Sequence, residues 1–287
     1  TVLAAFGSAA QNYPSKTIKI VVPFTAGSAT DIMARVVGEK LQAAWGQPVV
    51  VENRPGAGGT LGATQVARAE ADGHTLLVVS TGHVVNPALY SNIAYDTLGD
   101  FAGVSPLASL PSMLVVGSGS PVKTVSELLA AARAKPGALN YASAGVGSAT
   151  HVNAEKFRAM ANLQITHIPF KGTPETIVEV STGRADFMFT PILASLPAVR
   201  ENRLRAIAVS TAKRSSALPN VPTVAESGLP GFVFDFWIGM LAPAKTPKPV
   251  IAKLNAEVAR ILALPEVKER MVTLGAEPMP MSPEQFD

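Results

Sequence analysis

Hydrophobic and polar residues follow one another along this chain in blocks that predict strands alternating with helices. The apolar run at 17–24 predicts a buried strand, and from Asp31 to Trp45 the apolar residues recur at helical spacing. A second strand at 48–53, a helix over about 61–71 and a third strand at 72–80 continue the pattern. Repeated strand–helix units predict mostly parallel sheets with helices on both faces.

The middle of the chain repeats this pattern. Thr124 and Glu127 have the spacing of a capping box, which predicts the start of a helix. A helix is also predicted at 173–183, where Pro174 lies in the first turn. Strands are predicted at 139–143, 164–170, 185–190 and 204–210.

Two extended segments flanked by prolines, 104–116 and 232–243, lie on either side of this middle block. Two crossings between lobes are typical of a hinge architecture. We therefore predict an α/β protein with two doubly wound lobes joined by two crossover strands. The first lobe is predicted to contain residues 14–108 and 232–287, with helices after Pro247 packed on it, and the second lobe 109–231.

Composition and charge argue against several classes of function. The 287 residues carry 24 Lys and Arg against 21 Asp and Glu, and the basic residues are dispersed rather than gathered with stacking aromatic residues. We therefore expect no binding of nucleic acid. The absence of cysteine excludes disulfides and thiolate metal sites, and no two histidines stand at helical spacing, so we expect no metal and no cofactor.

The first residues are similar to the end of a secretory signal. Residues 1–13 are mostly small and apolar, no charge precedes Lys16, and Ser8 and Ala10 stand at the minus-three and minus-one positions of a possible cleavage site. A flexible leader is the alternative interpretation. The uncharged segment 104–122 is broken by prolines and glycines and predicts strands and turns rather than a membrane span. We expect an exported, soluble protein of the periplasm.

Three loops of small and hydroxyl-bearing residues, 25–31, 80–86 and 143–151, each follow a predicted strand. Ligands of open α/β sheets bind beyond the carboxyl ends of the strands, and the start of a helix leaves main-chain N–H groups free to bind an anion. One such loop is equally typical of a tight turn, but three together predict a carboxylate site without an arginine. The candidate ligand-binding residues are Phe24, Thr25, Ala26, Gly27, Ser28, Thr30, Asp31, Ser80, Thr81, Asn86, Ser143, Ala144, Gly145, Ser148, Thr150, His151 and Asp186.

Two acids among these candidates have alternative roles. Asp31 is typical of a helix cap or first-turn acid, and as a functional residue it could bind an ammonium group or order water beneath the ligand. Asp186 stands at the head of an apolar strand after Gly183, where it could belong to the turn or face the cleft.

Motifs of two other classes are incomplete. In "GAGGTLG" at 56–62, Leu61 replaces the last glycine of a dinucleotide fingerprint. A serine hydrolase is the enzymatic alternative, with Ser143 as nucleophile and His151 or His83 as base, although Tyr141 stands where the nucleophile elbow requires glycine. We expect a structural role for His167.

Seven motifs, read in order, resemble one family: "YPSKTIKIVVPFTAGSATDIMAR", "VVVENRPGAGG", "DGHTLLV", "NPALY", "YASAGVGSATH", "HIPFKG" and "VPTVAESG". The chain resembles the Bug receptors, which are extracytoplasmic solute receptors of tripartite tricarboxylate transporters. The resemblance implies a type II periplasmic-binding-protein fold and no catalytic activity. The chain departs from the usual family pattern at Ser28, where a second glycine is common, and at Thr17, where proline is common.

We therefore interpret the chain as a periplasmic, monomeric receptor. The resemblance implies capture of a small carboxylate, such as a di- or tricarboxylate, an acidic amino acid or an aromatic acid, in the cleft between the lobes. Delivery to the membrane permease subunits of a tripartite tricarboxylate transporter is implied as well. A sensor receptor that signals instead of transporting would have the same fold.

Overall fold

The computed structural model describes residues 13–287 as an α/β fold with eleven strands. In chain order they are β1 (Ile18–Val22), β2 (Val49–Asn53), β3 (Thr75–Ser80), β4 (Phe101–Leu110), β5 (Ser112–Gly117), β6 (Asn140–Ser143), β7 (Thr166–Pro169), β8 (Phe187–Pro191), β9 (Leu204–Val209), β10 (Phe236–Pro243) and β11 (Glu277–Pro278). The helices are α1 (Ala29–Trp45), α2 (Thr60–Ala67), α3 (Asn86–Leu89), α4 (Val125–Ala134), α5 (Ala149–Met160), α6 (Thr173–Ser181), α7 (Ile192–Arg200), α8 (Lys248–Ala263), α9 (Pro265–Thr273) and α10 (Pro283–Phe286).

The strands form two separate sheets, which confirms the predicted two-lobe α/β fold. The sheet of the first lobe has the order β11–β4–β10–β3–β1–β2, and that of the second lobe has the order β7–β6–β8–β5–β9. Both sheets are mixed. In the first, β10 runs antiparallel to its neighbours β3 and β4, and in the second, β5 runs antiparallel to its neighbours β8 and β9. The chain passes from one sheet to the other between β4 and β5 and returns before β10. The residue bounds of the lobes stay a prediction.

Most predicted elements form, and the exceptions involve proline. Thr124 and Glu127 make the predicted capping box at the start of α4. The extended segment 104–116 is two strands, divided at Pro111. Helix α7 was not predicted, because Pro191 precedes it and Pro197 lies inside it, and both residues are typical of breaks in helices.

The first lobe is built around α1, whose apolar stripe packs against the sheet. Met33, Val37 and Leu41 on this stripe are fully buried, and Gly46 ends the helix in a left-handed conformation, donating its N–H to Gln42 O. Because β1, β3 and β6 end at the boundary between the lobes, the loops that follow them lie together there.

Residues 1–12, which include most of the predicted signal-like segment, lie outside the described residues. In the part of the chain from residue 13 onward, none of the helices has both the length and the apolar character that a bilayer crossing requires.

Candidate functional site

A cavity lies between the two lobes, with about 270 Å³ of space free of atoms, part of which is open to solvent. None of its twelve lining residues is ionisable, so a ligand here meets main-chain groups, hydroxyls and apolar side chains. The first lobe contributes Phe24, Ser28, Ala29, Thr30, Ser80 and Phe236, and the second contributes Ala144, Ser148, Ala149, Thr150, Thr173 and Pro191.

The same tetrapeptide, Gly-Ser-Ala-Thr, reaches this cavity from both lobes. It occupies residues 27–30 at the start of α1 and residues 147–150 at the start of α5. The two glycines have φ of 85° and 79°, which favours glycine, and the two serines are extended N-cap residues with φ of −70° and −63°. The two lobes therefore present helix starts of the same backbone shape to one cavity.

Hydrogen bonds from the serine of each tetrapeptide to the loop before it hold the start of the helix. Ser28 donates through both its N–H and its hydroxyl to Thr25 O, and Ser148 does the same to Gly145 O. The N–H groups of the next two residues, Ala-Thr, have no acceptor within the helix. No other described residue accepts a hydrogen bond from these four N–H groups.

The two threonine hydroxyls differ in a way that bears on binding. Thr150 Oγ1 accepts a hydrogen bond of 2.9 Å from the Ala144 N–H and lies 2.9 Å from Ser148 Oγ. Thr30 is 2% exposed and lines the cavity, yet its Oγ1 has no hydrogen-bond partner among the described residues. Because a buried hydroxyl without a partner is costly, Thr30 is the clearest unsatisfied polar group of the site.

Four helices of nine or more residues begin at the cavity, so it has positive electrostatic character without a cationic side chain. Helices α1 and α5 begin with the tetrapeptides, α6 begins at the lining residue Thr173, and the lining residue Pro191 precedes α7. The N-terminal end of a helix carries a partial positive charge.

Asp31 holds the first loop in shape and does not line the cavity. Its carboxylate accepts from the Gly27 N–H at 2.9 Å, from Asn53 Nδ2 at 2.9 Å and from Arg35 Nε at 3.0 Å. Burial alone would raise the pKa of Asp31, but the hydrogen bonds from Arg35, Gly27 and Asn53 outweigh it and lower the pKa. The structural role is therefore the one that these contacts favour.

His151 occupies the equivalent position in the second loop, where its Nδ1 accepts from the Gly147 N–H at 3.2 Å. Its ring lies 4.4 Å from that of His167, centroid to centroid. Burial lowers the pKa of both histidines, that of His167 to about 4 with a further contribution from nearby His151. Both imidazoles are therefore neutral near pH 7.

The serine hydrolase alternative requires Ser143 to pair with His151 or His83, and neither pair is formed. Ser143 Oγ lies 2.6 Å from His167 Nε2 and, among the described residues, makes no hydrogen bond with His151 or His83, and the hydroxyl is buried outside the cavity lining. His83 packs instead against Tyr95 and Phe101 inside the first lobe, where burial lowers its pKa to about 4.

Several predicted ligand residues lie beside the cavity and have other contacts. Thr25 Oγ1 donates to Glu175 Oε2 across the lobes at 3.0 Å. Thr81 Oγ1 accepts from the Trp237 N–H at 3.0 Å, and Asn86 Nδ2 donates to Gly58 O. Ala26 and Gly27 are exposed at the rim, and the Gly145 N–H is bonded to Ser143 Oγ.

Asp186 corrects the sequence-based prediction, because it lies at the opposite end of the second sheet. Its Oδ2 accepts from the Asn140 N–H at 2.7 Å and its N–H donates to Asn140 Oδ1 at 3.1 Å, next to the amino ends of β6 and β8. The cavity lies at their carboxyl ends, next to Ala144 and Pro191. Asp186 is therefore a structural residue at the sheet edge.

Five lining residues were missed by the sequence analysis: Ala29, Ala149, Thr173, Pro191 and Phe236. The repeated Gly-Ser-Ala-Thr would have indicated the two alanines, since the first helical residue supplies a free N–H. Nothing local marks Phe236, which reaches the cavity only because β10 lies beside β3.

The described residues contain no group of three His, Cys, Asp or Glu side chains placed to hold a metal ion.

Residues 33–287 match the family described as "Tripartite tricarboxylate transporter family receptor". BugT of Bordetella pertussis is 36% identical over 278 residues, which are 96% of this chain and 85% of that protein. Among solved structures, Rpa4515 of R. palustris with adipate is 34% identical with a TM-score of 0.93 and coverage of 96% of this chain and 92% of that one. MatC from Rhodopseudomonas palustris with bound malate is 38% identical with a TM-score of 0.89, covering 92% and 90%. With this match and the two-lobe periplasmic-binding-protein fold, the chain belongs to the family of tripartite tricarboxylate transporter receptors, the Bug-type receptors that its motifs resemble.

Proposed function

We propose that this protein is a periplasmic receptor that binds a small dicarboxylate between its lobes. The observation that carries the proposal is the cavity without ionisable side chains, to which the two lobes bring the same helix start. One carboxylate of the ligand accepts from the N–H groups of Ala29 and Thr30 and from the Thr30 hydroxyl. The other accepts from the N–H groups of Ala149 and Thr150.

The energy available from such contacts is sufficient for a physiological affinity. A hydrogen bond to a charged oxygen contributes about 1.5–3 kcal/mol, and a partly buried helix start adds up to ~2 kcal/mol. A micromolar complex requires about 8 kcal/mol net of the costs of association. Four or five N–H and hydroxyl donors cover this without an arginine.

The solved relatives support a dicarboxylate as the ligand class. Two solved structures that align closely with this chain are complexes, Rpa4515 with adipate and MatC with malate, and each of these ligands has two carboxylates. Paired helix starts on facing lobes suit such a ligand, because each lobe then holds one end and binding favours closure of the lobes.

Calorimetry and thermal melting with a matched set of ligands test the proposal. Adipate and malate are expected to raise the melting temperature, whereas adipamide, which has the length of adipate without its charges, is expected to have no effect. Adipic acid monomethyl ester distinguishes one bound carboxylate from two and is expected to bind at least tenfold more weakly than adipate. Citrate, aspartate and benzoate represent the other carboxylate classes. If no carboxylate raises the melting temperature at millimolar concentration, the proposal fails.

We further propose that the receptor is exported, acts as a monomer and delivers its ligand to the permease subunits of a tripartite transporter. Family membership supports this role. Uptake of labelled ligand by cells should cease when the receptor is deleted and return when it is expressed again with its signal sequence. Light scattering coupled to size exclusion should give the mass of one chain.

A further inference from the structure

Outside the cavity, the lobes touch along a second surface formed by glycine backbones. On the first lobe we define the socket as Gly58, Gly82, Asn86 and Tyr90. On the second lobe, residues 145–149 lie against it. Gly58 and Gly82 are themselves absent from the cavity lining, although Ser148 and Ala149, which face Gly82, belong to it.

Gly82 leaves no space for a side chain between the lobes. A Cβ at this position would lie 2.4 Å from Gly147 O and 2.8 Å from Ala149 N, both main-chain atoms of the other lobe. Contacts below 3.0 Å are essentially never made by a real Cβ. The φ of Gly82 is outside the left-handed region, so its backbone conformation is open to alanine and only the facing lobe excludes it.

Gly58 approaches the same loop even more closely. A Cβ there would lie 1.9 Å from Val146 O and 3.0 Å from the Tyr90 hydroxyl. That hydroxyl donates to Val146 O at 2.8 Å and so connects the lobes by a direct hydrogen bond. Opposite Asn86, a Cβ on Gly147 would lie 2.3 Å from Asn86 Oδ1. Main chain therefore packs against main chain at Gly58 and Gly82, and the side chains of Asn86 and Tyr90 complete the socket.

We propose that Gly58 and Gly82 determine the receptor's affinity by permitting the lobes to close. The proposal rests on the proposed function for its consequence in binding. A receptor whose binding-competent form is populated only in part binds with an affinity reduced by that fraction. A methyl group in the socket holds the lobes apart, lowers the population of the closed form and weakens binding of every ligand by the same factor.

Closure can be measured without a ligand through a disulfide between two introduced cysteines, since the chain has no cysteine of its own to compete. Thr25 and Gly172 face each other across the lobes. A Cβ on Gly172 would lie 1.8 Å from Thr25 Oγ1, an atom that Thr25→Cys removes, and 3.0 Å from Thr25 Cβ. This is slightly shorter than the ~3.5–4.5 Å between the Cβ atoms of a disulfide, so the bond requires the lobes to be nearly closed. In the double variant Thr25→Cys with Gly172→Cys, the rate of disulfide formation at a fixed concentration of oxidised glutathione therefore reports the closed population.

Two glycines on the second lobe supply matched controls. Gly119, like Gly82, has no positive φ, and Gly137, with φ of 79°, has a left-handed backbone as Gly58 does with φ of 60°. A Cβ on either control residue would meet nothing within 4 Å. Gly119→Ala is therefore the control for Gly82→Ala, because it adds the same methyl group without an obstacle between the lobes. Gly137→Ala is the control for Gly58→Ala, because it also strains a left-handed backbone.

In the cysteine-pair background, we expect Gly82→Ala and Gly58→Ala to slow disulfide formation at least tenfold, and the two control variants to leave it unchanged. In the chain without cysteines, Gly82→Ala should weaken the binding of adipate and of malate by one common factor of at least ten. Its melting temperature without ligand should stay within about 2 °C of that of Gly119→Ala, which is the size of shift that a surface substitution causes. Equal rates of disulfide formation in Gly82→Ala and Gly119→Ala would overturn the proposal. If the rates differ as expected but no carboxylate binds the parent chain, the proposed function fails and the role of the socket in closure stands.

Discussion

The Thr30 hydroxyl offers a direct test of how the site binds a carboxylate. Thr30→Val keeps the shape of the side chain and removes one buried hydroxyl that has no partner in the described structure. If this hydroxyl donates to a ligand carboxylate, its loss costs about 1.5–3 kcal/mol of binding free energy, which is a roughly ten- to 150-fold weaker affinity. Stability without ligand should be unchanged or higher, because an unsatisfied polar group is removed.

The twin position supplies the control for this experiment. Thr150 Oγ1 accepts from the buried Ala144 N–H, so Thr150→Val leaves that N–H without a partner and should lower the free energy of unfolding by about 1–3 kcal/mol. Titration calorimetry with adipate and urea denaturation separate the two effects. An unchanged adipate affinity in Thr30→Val, with the variant fully folded, would refute a direct contact between this hydroxyl and the ligand.

Two further predictions concern the groups that support the loops. Asp31→Ala leaves the Gly27 N–H, Asn53 and Arg35 without their shared acceptor. Because Arg35 is half exposed, urea denaturation should show a free energy of unfolding lowered by about 2 kcal/mol. Calorimetry should show adipate affinity reduced more than tenfold, and an unchanged affinity would contradict the role of Asp31 in shaping the loop. Burial lowers the pKa of His83 and His167 to about 4 from 6.5, so as the pH falls from 6.5 to 4 the unfolded chain binds protons first and the melting temperature should fall across that window. His83→Phe, which retains a ring against Tyr95 and Phe101, should reduce the fall, and an identical pH profile for this variant would show that His83 does not contribute.

The fold could be predicted where local pattern and packing agree. The apolar spacing of α1 and the capping box at Thr124 specify their elements directly, and the structure confirms both. Helix α7 could not be predicted from local pattern, since Pro191 and Pro197 oppose a helix and tertiary packing stabilises it: Ile192, Leu193 and Leu196 are buried. The position of β10 between β3 and β4 was also not predicted, because pairing between distant strands leaves no periodicity in the sequence.

The site was predictable to the extent that it depends on loops after strands. Seven candidates line the cavity, because helix starts and strand ends are marked by small and hydroxyl residues: Phe24, Ser28, Thr30, Ser80, Ala144, Ser148 and Thr150. Asp31 and His151 were placed near the ligand, whereas the structure joins each to the glycine N–H four residues earlier. Composition indicates which residues can donate, but only the folded backbone determines which donors are already engaged.

The central claim is that main-chain N–H groups and hydroxyls at two helix starts hold the ligand, with no cationic side chain in contact. A crystal structure of the complex with adipate tests this most directly. We expect one carboxylate within about 3 Å of the N–H groups of Ala29 and Thr30, and the other within about 3 Å of those of Ala149 and Thr150. An adipate carboxylate bound by an arginine or lysine side chain, or adipate bound outside the cavity between the lobes, would contradict the account.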